Sequence, residues 1–300
     1  MRRTLPQDGL TALPPLTERE FAQVAALVQR EAGIHLTSAK HALVVGRLGR
    51  RVRELGLPSF ARYFAVAEED PAERVELVDR ITTNETHFYR EPRHFDHIRE
   101  VLVPRWQAEA ERGQRSRSVR VWSSACSTGE EPYTLAMVLL RAFPPGSGWE
   151  LDILASDLCT RVLRQAEEGR WPIEKSRELP PQDLKSFMLR GTGSQTGVMK
   201  AGPEVRGVLR FARVNLIEAP TFPAGRFDLV FCRNVLIYFD APTKQGVVER
   251  LLDRLATGGH LFLGHAESLS GMALEAHSVA TGVYCRGSIE RGRKAAGGVP

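Results

Sequence analysis

The sequence predicts an α/β fold, with a doubly wound and mostly parallel sheet, preceded by an all-helical domain. Two patterns indicate this fold class. In the first quarter of the chain, apolar residues recur at helical spacing. From residue 119 onwards, short apolar strands alternate with helical segments, which is typical of a parallel sheet with helices on both faces. With 300 residues and 42% hydrophobic content, the chain is long enough to bury two cores, so we expect two domains.

The helical domain is expected over residues 15–80, after a flexible, Pro-containing segment at residues 1–14. Thr17 and Glu20 have the spacing of a capping box, which predicts the start of the first helix. Apolar residues then repeat along one face of that helix. Further helices are expected after Thr37 or Ser38, over residues 60–66 and over residues 71–81.

The second helix of this domain has a row of basic residues beside its apolar face. This row, called the basic stripe below, consists of Lys40, Arg47, Arg50 and Arg51. Such a row is commonly a solvated helix face, and it can equally be a docking surface for an acidic partner. The net charge of +5 does not choose between these readings, because several classes of partner attract a basic protein.

Five strands are expected in the sheet domain, which we place at residues 93–286. The stretch between the second and third strands is long, and its later part is rich in Gly, Ser and Thr. A small inserted subdomain is therefore expected at about residues 176–207. The tail at residues 287–300 has the composition of a disordered segment. The expected strands are residues 119–122, 151–155, 208–215, 228–232 and 260–263.

The composition excludes several classes of protein. No apolar run is long enough to span a membrane, and the N-terminal residues lack the apolar core of a signal peptide. We therefore expect a cytoplasmic protein without membrane insertion. The four cysteines are scattered, without a CxxC pair or a histidine at ligand spacing. Neither a metal site nor a disulfide framework is expected.

The turn after the first expected strand is unusual for a nucleotide-binding sheet. Small residues at 123–129 lead into a helix expected to begin at Pro132, and a turn of this kind commonly binds a phosphate. Here Glu130 and Glu131 occupy the place of the anion, and only Gly129 remains of the three glycines that a dinucleotide requires. Because carboxylates attract cations, the pattern fits a ligand with an adenosine and a cationic group. S-adenosylmethionine is such a ligand.

Polar residues also follow the later strands, at the edge where a doubly wound sheet binds its ligands. Each has a plainer explanation, since Glu131 can complement a helix dipole, Asp157 can cap a helix and Asn215 can form a turn. Because four strand ends have the expected polarity together, we interpret them as one ligand crevice. The residues are Glu130 and Glu131 after the first strand, Asp157 after the second, Asn215 and Leu216 after the third, and Arg233 and Asn234 after the fourth.

Six motifs occur in order between residues 16 and 285. They are ITTNETHFYRE at 81–91, ACSTGEEPYTLA at 125–136, SD at 156–157, VNL at 214–216, FCRNVLIYF at 231–239 and LGHAESL at 263–269. The set resembles that of CheR-type methyltransferases, which methylate glutamates on bacterial chemoreceptors. The resemblance implies a Rossmann-like class I methyltransferase domain with a small antiparallel β insertion. It also implies that a linker at residues 81–92 joins this domain to the helical one.

The resemblance further implies roles for individual residues. In the family the linker folds back over S-adenosylmethionine, so Asn84, Thr86 and Arg90 are implied contacts. Arg90 and Tyr238 are the implied catalytic residues, with Tyr238 close to the transferred methyl group. From the residues alone, the plainer readings are favoured: Arg90 pairs with Glu91 or with a helix end on the surface, and Tyr238 is a core aromatic with its hydroxyl at the rim. The other implied cofactor contacts are Glu130, Asp157, Asn215, Leu216, Arg233 and Asn234.

The implied reaction transfers a methyl group to glutamate side chains of chemoreceptors, giving methyl esters for chemosensory adaptation and S-adenosylhomocysteine. A glutamate with a reference pKa of about 4.3 is already anionic at neutral pH, so no general base is required. We expect Arg90 and Tyr238 to orient groups by hydrogen bonds. The expected partner is the cytoplasmic helical bundle of a chemoreceptor, docked on the basic stripe, and the enzyme is expected to be a monomer.

Two other functions are compatible with parts of the sequence. A nucleic-acid methyltransferase shares the fold and suits a basic protein. However, the loop at residues 233–236 lacks the Pro-Pro-aromatic pattern of amine methylation, and residues 47–53 contain no stacking aromatic, so we expect no nucleic-acid partner. The second alternative is a non-catalytic domain that senses the cofactor or its demethylated product. The presence of Arg90 and Tyr238 argues against it.

Overall fold

The computed structural model describes residues 13–287 and divides the chain into two units, Met1–Thr83 and Asn84–Pro300. Residues 1–12 and 288–300 lie outside the described part. They include most of the two segments expected to be flexible, residues 1–14 and 287–300. The expected linker at 81–92 is split by this division. Its residues 84–92, called the 84–92 segment below, belong to the larger unit.

Four α-helices form the described part of the smaller unit. The capping box at its start is confirmed, because the Glu20 carboxylate accepts from Thr17 N at 2.7 Å and Thr17 Oγ1 accepts from Glu20 N at 3.3 Å. Val24, Val44 and Tyr63 are fully buried in the core between the helices. The helices are α1 (Glu18–Ala32), α2 (His41–Glu54), α3 (Phe60–Glu69) and α4 (Pro71–Ile81).

The larger unit contains two β-sheets. In chain order, its strands are β1 (Ser118–Ser123), β2 (Glu150–Asp157), β3 (Arg170–Pro172), β4 (Met188–Arg190), β5 (Val198–Ala201), β6 (Leu209–Arg213), β7 (Phe227–Cys232), β8 (Leu255–Leu263), β9 (Ala276–Ala280) and β10 (Val283–Arg286). The main sheet has the order β6-β2-β1-β7-β8-β10-β9, and its first five strands are parallel. These five are the strands expected from the sequence, so the predicted α/β class is confirmed.

The antiparallel edge of the main sheet was not expected from the sequence. β10 pairs antiparallel with both β8 and β9. β9 has no fully buried residue, so it lacks the apolar run that marks the inner strands. Pairing with the neighbouring strand, rather than a local sequence pattern, therefore places these residues in the sheet.

Helices cover both faces of the main sheet, which confirms the doubly wound architecture. Val121 and Trp122 are neighbours on β1 and point to opposite faces, Val121 into a core with Phe231 and Trp122 into a core with Val230. None of the described helices is both long and apolar enough to cross a membrane. The helices are α5 (Arg93–His97), α6 (Val103–Glu111), α7 (Glu130–Ala142), α8 (Thr160–Glu168), α9 (Pro181–Phe187), α10 (Pro203–Gly207) and α11 (Ala241–Asp253), with a π-helical turn at Ile98–Leu102.

The small antiparallel insertion is also confirmed. β3, β5 and β4 form, in that order, a three-stranded antiparallel sheet in the chain between β2 and β6. Its first strand begins at Arg170, earlier than the start near residue 176 expected from the sequence. Trp171 on β3 is buried against Phe88 and Tyr133, so the insertion shares a hydrophobic core with the main sheet.

A buried histidine makes the stability of this unit depend on pH. His260 lies on β8 and is 3% exposed, and its Nδ1 has no hydrogen-bond partner among the described atoms. Burial, followed by the charges of Arg105, His97 and His277, lowers the pKa of His260 to about 3. An unfolded histidine takes up a proton near a pH of about 6.5. The unfolded state therefore binds more protons between these two values, and this contribution to stability is lost as the pH falls through that range.

We expect the His260→Leu variant to lose stability less steeply than the wild type as the pH falls below about 6.5. The difference in slope is up to about 1.4 kcal/mol per pH unit, because leucine has no group to protonate in either state. Urea unfolding followed by circular dichroism, at several pH values between about 7 and 5, measures the slope. Parallel pH dependences in the two proteins would show that His260 is not a neutral buried residue.

Candidate active site

The loops that follow β1, β2, β6 and β7 meet at the carboxyl edge of the main sheet, where doubly wound sheets bind ligands. The 84–92 segment lies against two of these loops. Asn84 O accepts a hydrogen bond from Ser127 Oγ at 2.8 Å, and Asn84 Nδ2 lies 3.7 Å from Cys159 Sγ. The structure therefore brings the implied contact Asn84 to the ends of β1 and β2.

Left-handed backbone conformations are concentrated at this edge. In the described part of the chain, the non-glycine residues with positive φ are Tyr89 (53°), Glu91 (59°), Ser127 (49°) and Asn234 (58°). Tyr89 and Glu91 belong to the 84–92 segment, Ser127 to the loop after β1 and Asn234 to the end of β7. Each such residue costs on the order of 1–3 kcal/mol unless its surroundings hold it, and such residues cluster at functional sites.

Helix α7 begins at Glu130, earlier than the start at Pro132 expected from the sequence. Its N-cap residue is Gly129, with a φ of 99°, and a Cβ at this position would lie 3.1 Å from Ala166. Glycine is therefore required here by both conformation and close packing. As a result, Glu130 and Glu131 lie in the first turn of the helix, where the helix dipole favours negative charge.

Glu130 is fully buried and has a cationic partner within the protein. Its Oε1 lies 2.5 Å from Lys175 Nζ, and its Oε2 accepts a hydrogen bond from Thr128 Oγ1 at 2.6 Å. The same ammonium group donates to Thr86 O at 3.1 Å, so Lys175 connects α7 to the 84–92 segment. Sequence analysis missed Lys175, because no local pattern indicates that its side chain reaches a carboxylate 45 residues away.

Arg233 lies at the centre of a buried ion-pair network. Its Nη1 is 3.1 Å from Glu131 Oε2, and its Nη2 is 3.1 Å from Glu91 Oε2 and donates to the Arg90 carbonyl. The Arg233 side chain is only 2% exposed. The guanidinium therefore makes its polar contacts within this network.

The two acids of this network differ in their electrostatics. Burial raises the pKa of Glu131, and Arg233 and the Ser123 hydroxyl, 2.7 Å from Glu131 Oε1, oppose this effect only in part. Burial also acts to raise the pKa of Glu91. There, however, Arg233 and the His265 N–H, 3.1 Å from Glu91 Oε1, prevail and the pKa is lowered. Glu91 is therefore the firmly ionised partner of Arg233.

Asp157 joins the loops that follow β1 and β2. Its Oδ2 accepts a hydrogen bond from Ser127 N at 2.8 Å, and its Oδ1 accepts one from Cys159 N at 2.9 Å. The second contact lies just before α8, whose N-cap is Cys159 and not Asp157, so the plainer reading of Asp157 as the cap is wrong.

The side chain of Asn215 also forms hydrogen bonds within its own loop. Its Nδ2 donates to Glu218 Oε1 at 2.7 Å and its Oδ1 accepts from Ile217 N at 3.3 Å, which is the turn that was the plainer reading. Its neighbour Leu216 is 7% exposed and packs in the core that contains Trp122. Both residues lie at the end of β6, as expected, but the Asn215 amide does not point freely into a crevice.

Asn234 and Tyr238 lie after β7. The Oδ1 of Asn234 is buried and has no hydrogen-bond partner among the described atoms. A buried acceptor without a partner costs about 1–3 kcal/mol, so this atom favours a ligand that donates. Tyr238 is half-buried at the end of the 3₁₀ turn Leu236–Tyr238. Buried acids and an unpaired acceptor, without phosphate-binding glycines, fit a cationic adenosine cofactor.

Arg90 does not pair with Glu91, which was the alternative reading of this residue. Its Nη1 donates to the carbonyl of Glu85 at 2.9 Å. Its main chain is held between two left-handed residues, Tyr89 and Glu91, and its carbonyl accepts from Arg233. The main chain of Arg90 is thus fixed by the buried network.

Glu91, His94 and His265 are close enough to hold a metal ion, with ligand atoms within 4.8 Å of one another. However, the Arg233 guanidinium lies 3.1 Å from Glu91 Oε2 and places a fixed positive charge beside the same carboxylate. This charge opposes a divalent cation. We therefore assign Glu91 to the ion-pair network of Arg233. Burial, followed by Arg233, lowers the pKa of His94 to about 4, so His94 is a neutral neighbour of this network near pH 7.

The basic stripe on α2 is partly used within the helical unit. Arg51 binds the buried carboxylate of Glu73 through two hydrogen bonds of 2.9 and 2.5 Å, and Arg47 donates to Thr83 Oγ1 at 2.9 Å and to the carbonyl of Ile81. Arg51 thereby joins α2 to α4. These contacts give Arg47 and Arg51 a role in the structure of the domain itself.

The other half of the stripe is exposed. Arg50 is 80% exposed and pairs with Glu54 at 2.9 Å, one turn further along the helix, and Lys40 is exposed at the start of α2. An exposed ion pair of this kind contributes little to stability. Lys40 and Arg50 are therefore the members of the stripe that remain accessible to a partner.

We expect the Arg51→Met variant to lose about 2–3 kcal/mol of stability, because it leaves the Glu73 carboxylate buried without its partner. Arg50→Met is the matched control on the same helix, and it should change the stability by no more than about 0.5 kcal/mol. Urea unfolding of both variants, followed by circular dichroism, gives the comparison. Equal stabilities would show that the Arg51–Glu73 pair does not stabilise the domain.

Two protein-family models match the chain. The model for the CheR methyltransferase, SAM binding domain matches residues 84–285, and the model for the CheR methyltransferase, all-alpha domain matches residues 19–82. Together they cover both units of the structure.

Curated relatives match over nearly the same span. Chemotaxis protein methyltransferase 2 of Pseudomonas aeruginosa is 39% identical over 272 residues, which cover 89% of this chain and 93% of that protein. The chemotaxis protein methyltransferase of Salmonella typhimurium is 37% identical, covering 92% of this chain and 94% of that protein. That of Escherichia coli is also 37% identical, covering 90% and 93%. On the strength of both family models and of these relatives, the chain belongs to the CheR methyltransferase family.

Proposed function

We propose that the protein transfers a methyl group from S-adenosylmethionine to glutamate side chains of chemoreceptors, in the cytoplasm, and so forms methyl esters for chemosensory adaptation. One observation carries this proposal: buried acids and an unpaired buried acceptor lie together at the carboxyl edge of the sheet, held by left-handed backbone. These residues stand at positions that match motifs of the family. The names of the relatives, chemotaxis protein methyltransferases, support the same function.

The site offers suitable groups for each part of the cofactor. Asn234 suits its ammonium group, because its buried Oδ1 is an acceptor without a partner among the described atoms. We assign Glu130 to the same end of the site, where its buried carboxylate also binds Lys175. Asp157 suits the ribose hydroxyls, and the apolar side chain of Leu216 suits the adenine face. When bound, S-adenosylmethionine supplies an electrophilic methyl group on a cationic sulfur. The remaining residues that we assign to its binding are Asn84, Thr86, Arg90, Asn215 and the main chain of Arg233.

The catalytic role of the protein is to align the reactants. The acceptor glutamate is already anionic near pH 7, so no side chain needs to remove a proton. We assign Arg90 and Tyr238 to orienting groups by hydrogen bonds. The network around Arg233 fixes the main chain of Arg90 before any substrate binds. Because Arg90 is already positioned when the substrate binds, less entropy is lost in bringing the carboxylate oxygen, the methyl carbon and the sulfur into line.

Incubation of the purified protein with methyl-tritiated S-adenosylmethionine and a cytoplasmic chemoreceptor fragment tests the proposal. The expected result is label in the receptor that mild base releases as methanol, because a glutamate methyl ester is hydrolysed by base. A receptor fragment with its acceptor glutamates replaced by alanine is the control. Label that enters transfer RNA instead would favour a nucleic-acid methyltransferase. Tight cofactor binding without any transfer would favour a non-catalytic sensor.

We also propose that Lys40 and Arg50 dock the acidic surface of the receptor. Reversing both charges, Lys40→Glu with Arg50→Glu, is expected to raise KM for the receptor about 5- to 10-fold at low salt, with kcat and cofactor affinity unchanged. Arg19→Glu with Arg62→Glu is the matched control, because these arginines are exposed in the same unit outside the stripe. An unchanged KM in the first variant, or an equal rise in the control, would refute docking at the stripe.

A further inference from the structure

Glu267 is a buried acid that the sequence analysis left without a role. It follows β8 and is 4% exposed. Its Oε2 accepts hydrogen bonds from Asn234 N at 2.8 Å and Gly264 N at 2.7 Å, and its Oε1 accepts from Val235 N at 2.9 Å and Leu236 N at 2.7 Å. Among the described residues, no lysine, arginine or histidine forms an ion pair with it. The carboxylate is therefore stabilised by main-chain N–H groups alone.

The left-handed conformation of Asn234 makes this arrangement possible. With a φ of 58°, Asn234 turns the backbone so that the N–H groups of Asn234, Val235 and Leu236 point to one side. Consecutive N–H groups in such a turn form a concave site for an anion. Hydrogen bonds to a charged acceptor are stronger than those between neutral groups. The carboxylate of Glu267 and the turn thus depend on each other. Without the carboxylate, the three N–H groups lose their acceptor, and the hydrogen bonds that stabilise the positive φ of Asn234 are lost.

This turn leads directly into the residues of the proposed active site. Asn234 has the unpaired Oδ1, and Tyr238 ends the 3₁₀ turn whose first residue, Leu236, donates to Glu267. Gly264 packs against the other side, because a Cβ there would lie 2.5 Å from Asn234 Nδ2 and 2.9 Å from Glu267 Oε2. The position of the Asn234 amide is therefore set from two sides.

We propose that Glu267 is a positioning residue for methyl transfer, whose carboxylate holds residues 234–238 in the shape that presents Asn234 to the cofactor and Tyr238 to the reacting groups. This inference rests on the proposed function. Glutamine at this position has the same size but presents an amide nitrogen, which repels the N–H groups and lacks the negative charge. Aspartate keeps the charge but is shorter.

The experiment compares Glu267→Gln with Asp228→Asn by three measurements. Asp228 is the matched control because its carboxylate, 22% exposed, also accepts a main-chain N–H, that of Arg120 at 2.8 Å, and pairs with Arg115 at 3.0 Å. It lies at the start of β7, at the opposite end of the strand from residues 234–238. Hydrogen exchange reports the protection of the amides of Val235 and Leu236, calorimetry reports cofactor affinity, and methylation of a receptor fragment reports kcat. All are measured well below the melting temperature of each variant.

In Glu267→Gln we expect amide exchange at Val235 and Leu236 to accelerate at least 10-fold, cofactor affinity to fall at least 10-fold and kcat to fall at least 10-fold. In Asp228→Asn all three should stay within about 3-fold of the wild type, and Glu267→Asp should recover part of the loss. If Glu267→Gln only destabilises the protein, as Asp228→Asn does, Glu267 has no positioning role.

If Glu267→Gln fails to fold, Gly264→Ala is the second variant, because its Cβ pushes against Asn234. This variant should show the same faster amide exchange, weaker cofactor binding and lower kcat. Normal cofactor affinity and kcat in Gly264→Ala would overturn the proposal. The behaviour of the wild type distinguishes failure of the proposed function from failure of the inference about Glu267. A wild type that neither binds S-adenosylmethionine nor methylates the receptor refutes the function, whereas a working wild type with an unaffected Glu267→Gln refutes only the inference.

Discussion

Replacing Arg233 with methionine is expected to lower the free energy of unfolding by about 3–5 kcal/mol and to abolish methyl transfer. The reason is that Arg233 is the shared partner of two largely buried acids, Glu91 and Glu131, whose side chains are 10% and 12% exposed, and its removal leaves both without a counter-charge. The carbonyl of Arg90 loses its guanidinium donor at the same time. The effect on catalysis follows because the 84–92 segment is held to the sheet through these contacts.

The control for this variant is Arg210→Met. Arg210 also pairs with a carboxylate, that of Asp152, but its side chain is 48% exposed. An exposed pair contributes at most about 1 kcal/mol, so urea unfolding should separate the two variants clearly. Removing the charge of Glu131 as well, as Glu131→Leu, should restore part of the stability that Arg233→Met loses. Equal unfolding midpoints for Arg233→Met and Arg210→Met would contradict the buried network.

Replacing Tyr238 with phenylalanine is expected to lower kcat for receptor methylation about 10- to 100-fold while leaving cofactor affinity within about 2-fold of the wild type. The loss corresponds to one hydrogen bond that orients the reacting groups, worth about 1.5–3 kcal/mol in the transition state. Because Tyr238 moves no proton in this scheme, the dependence of kcat on pH near neutrality should keep the shape of the wild type.

Tyr284→Phe is the matched control for the loss of a hydroxyl group. Tyr284 lies on β10 of the same unit, where its hydroxyl accepts a hydrogen bond from Leu269 N at 3.3 Å. This variant should keep the kcat of the wild type. If Tyr238→Phe introduced a new titration of kcat near neutral pH, the hydroxyl would act as a proton shuttle, which the proposed mechanism excludes.

Much of the larger unit could be predicted from the sequence because its strands are short apolar runs separated by turns. The five parallel strands follow from this local pattern, as does the location of polar residues at their carboxyl ends. β9 and β10 escaped prediction because β9 has no buried apolar run and gains its place only by pairing with a neighbour. The start of α7 was misplaced because Gly129, with its positive φ, allows the helix to begin ahead of Pro132.

The contacts that shape the candidate site could not be predicted in the same way. Arg233 and Glu91 are 142 residues apart, and Lys175 and Glu130 are 45 apart, so only the tertiary fold brings each pair together. Glu267 lies within a motif that sequence comparison marks, but its hydrogen bonds depend on the left-handed turn at Asn234. Sequence patterns therefore indicated which strand ends matter, whereas the roles of Arg233, Lys175 and Glu267 required the structure.

We propose that buried acids at the carboxyl edge of the sheet bind a cationic sulfur nucleoside. The decisive experiment is isothermal titration calorimetry of the purified protein with S-adenosylmethionine, S-adenosylhomocysteine, NAD and ATP. We expect uptake of the first two ligands at one site, weaker binding in Glu130→Gln by about 10-fold or more, and no uptake of NAD or ATP. Binding of NAD or ATP without any binding of S-adenosylmethionine would refute this assignment of the site.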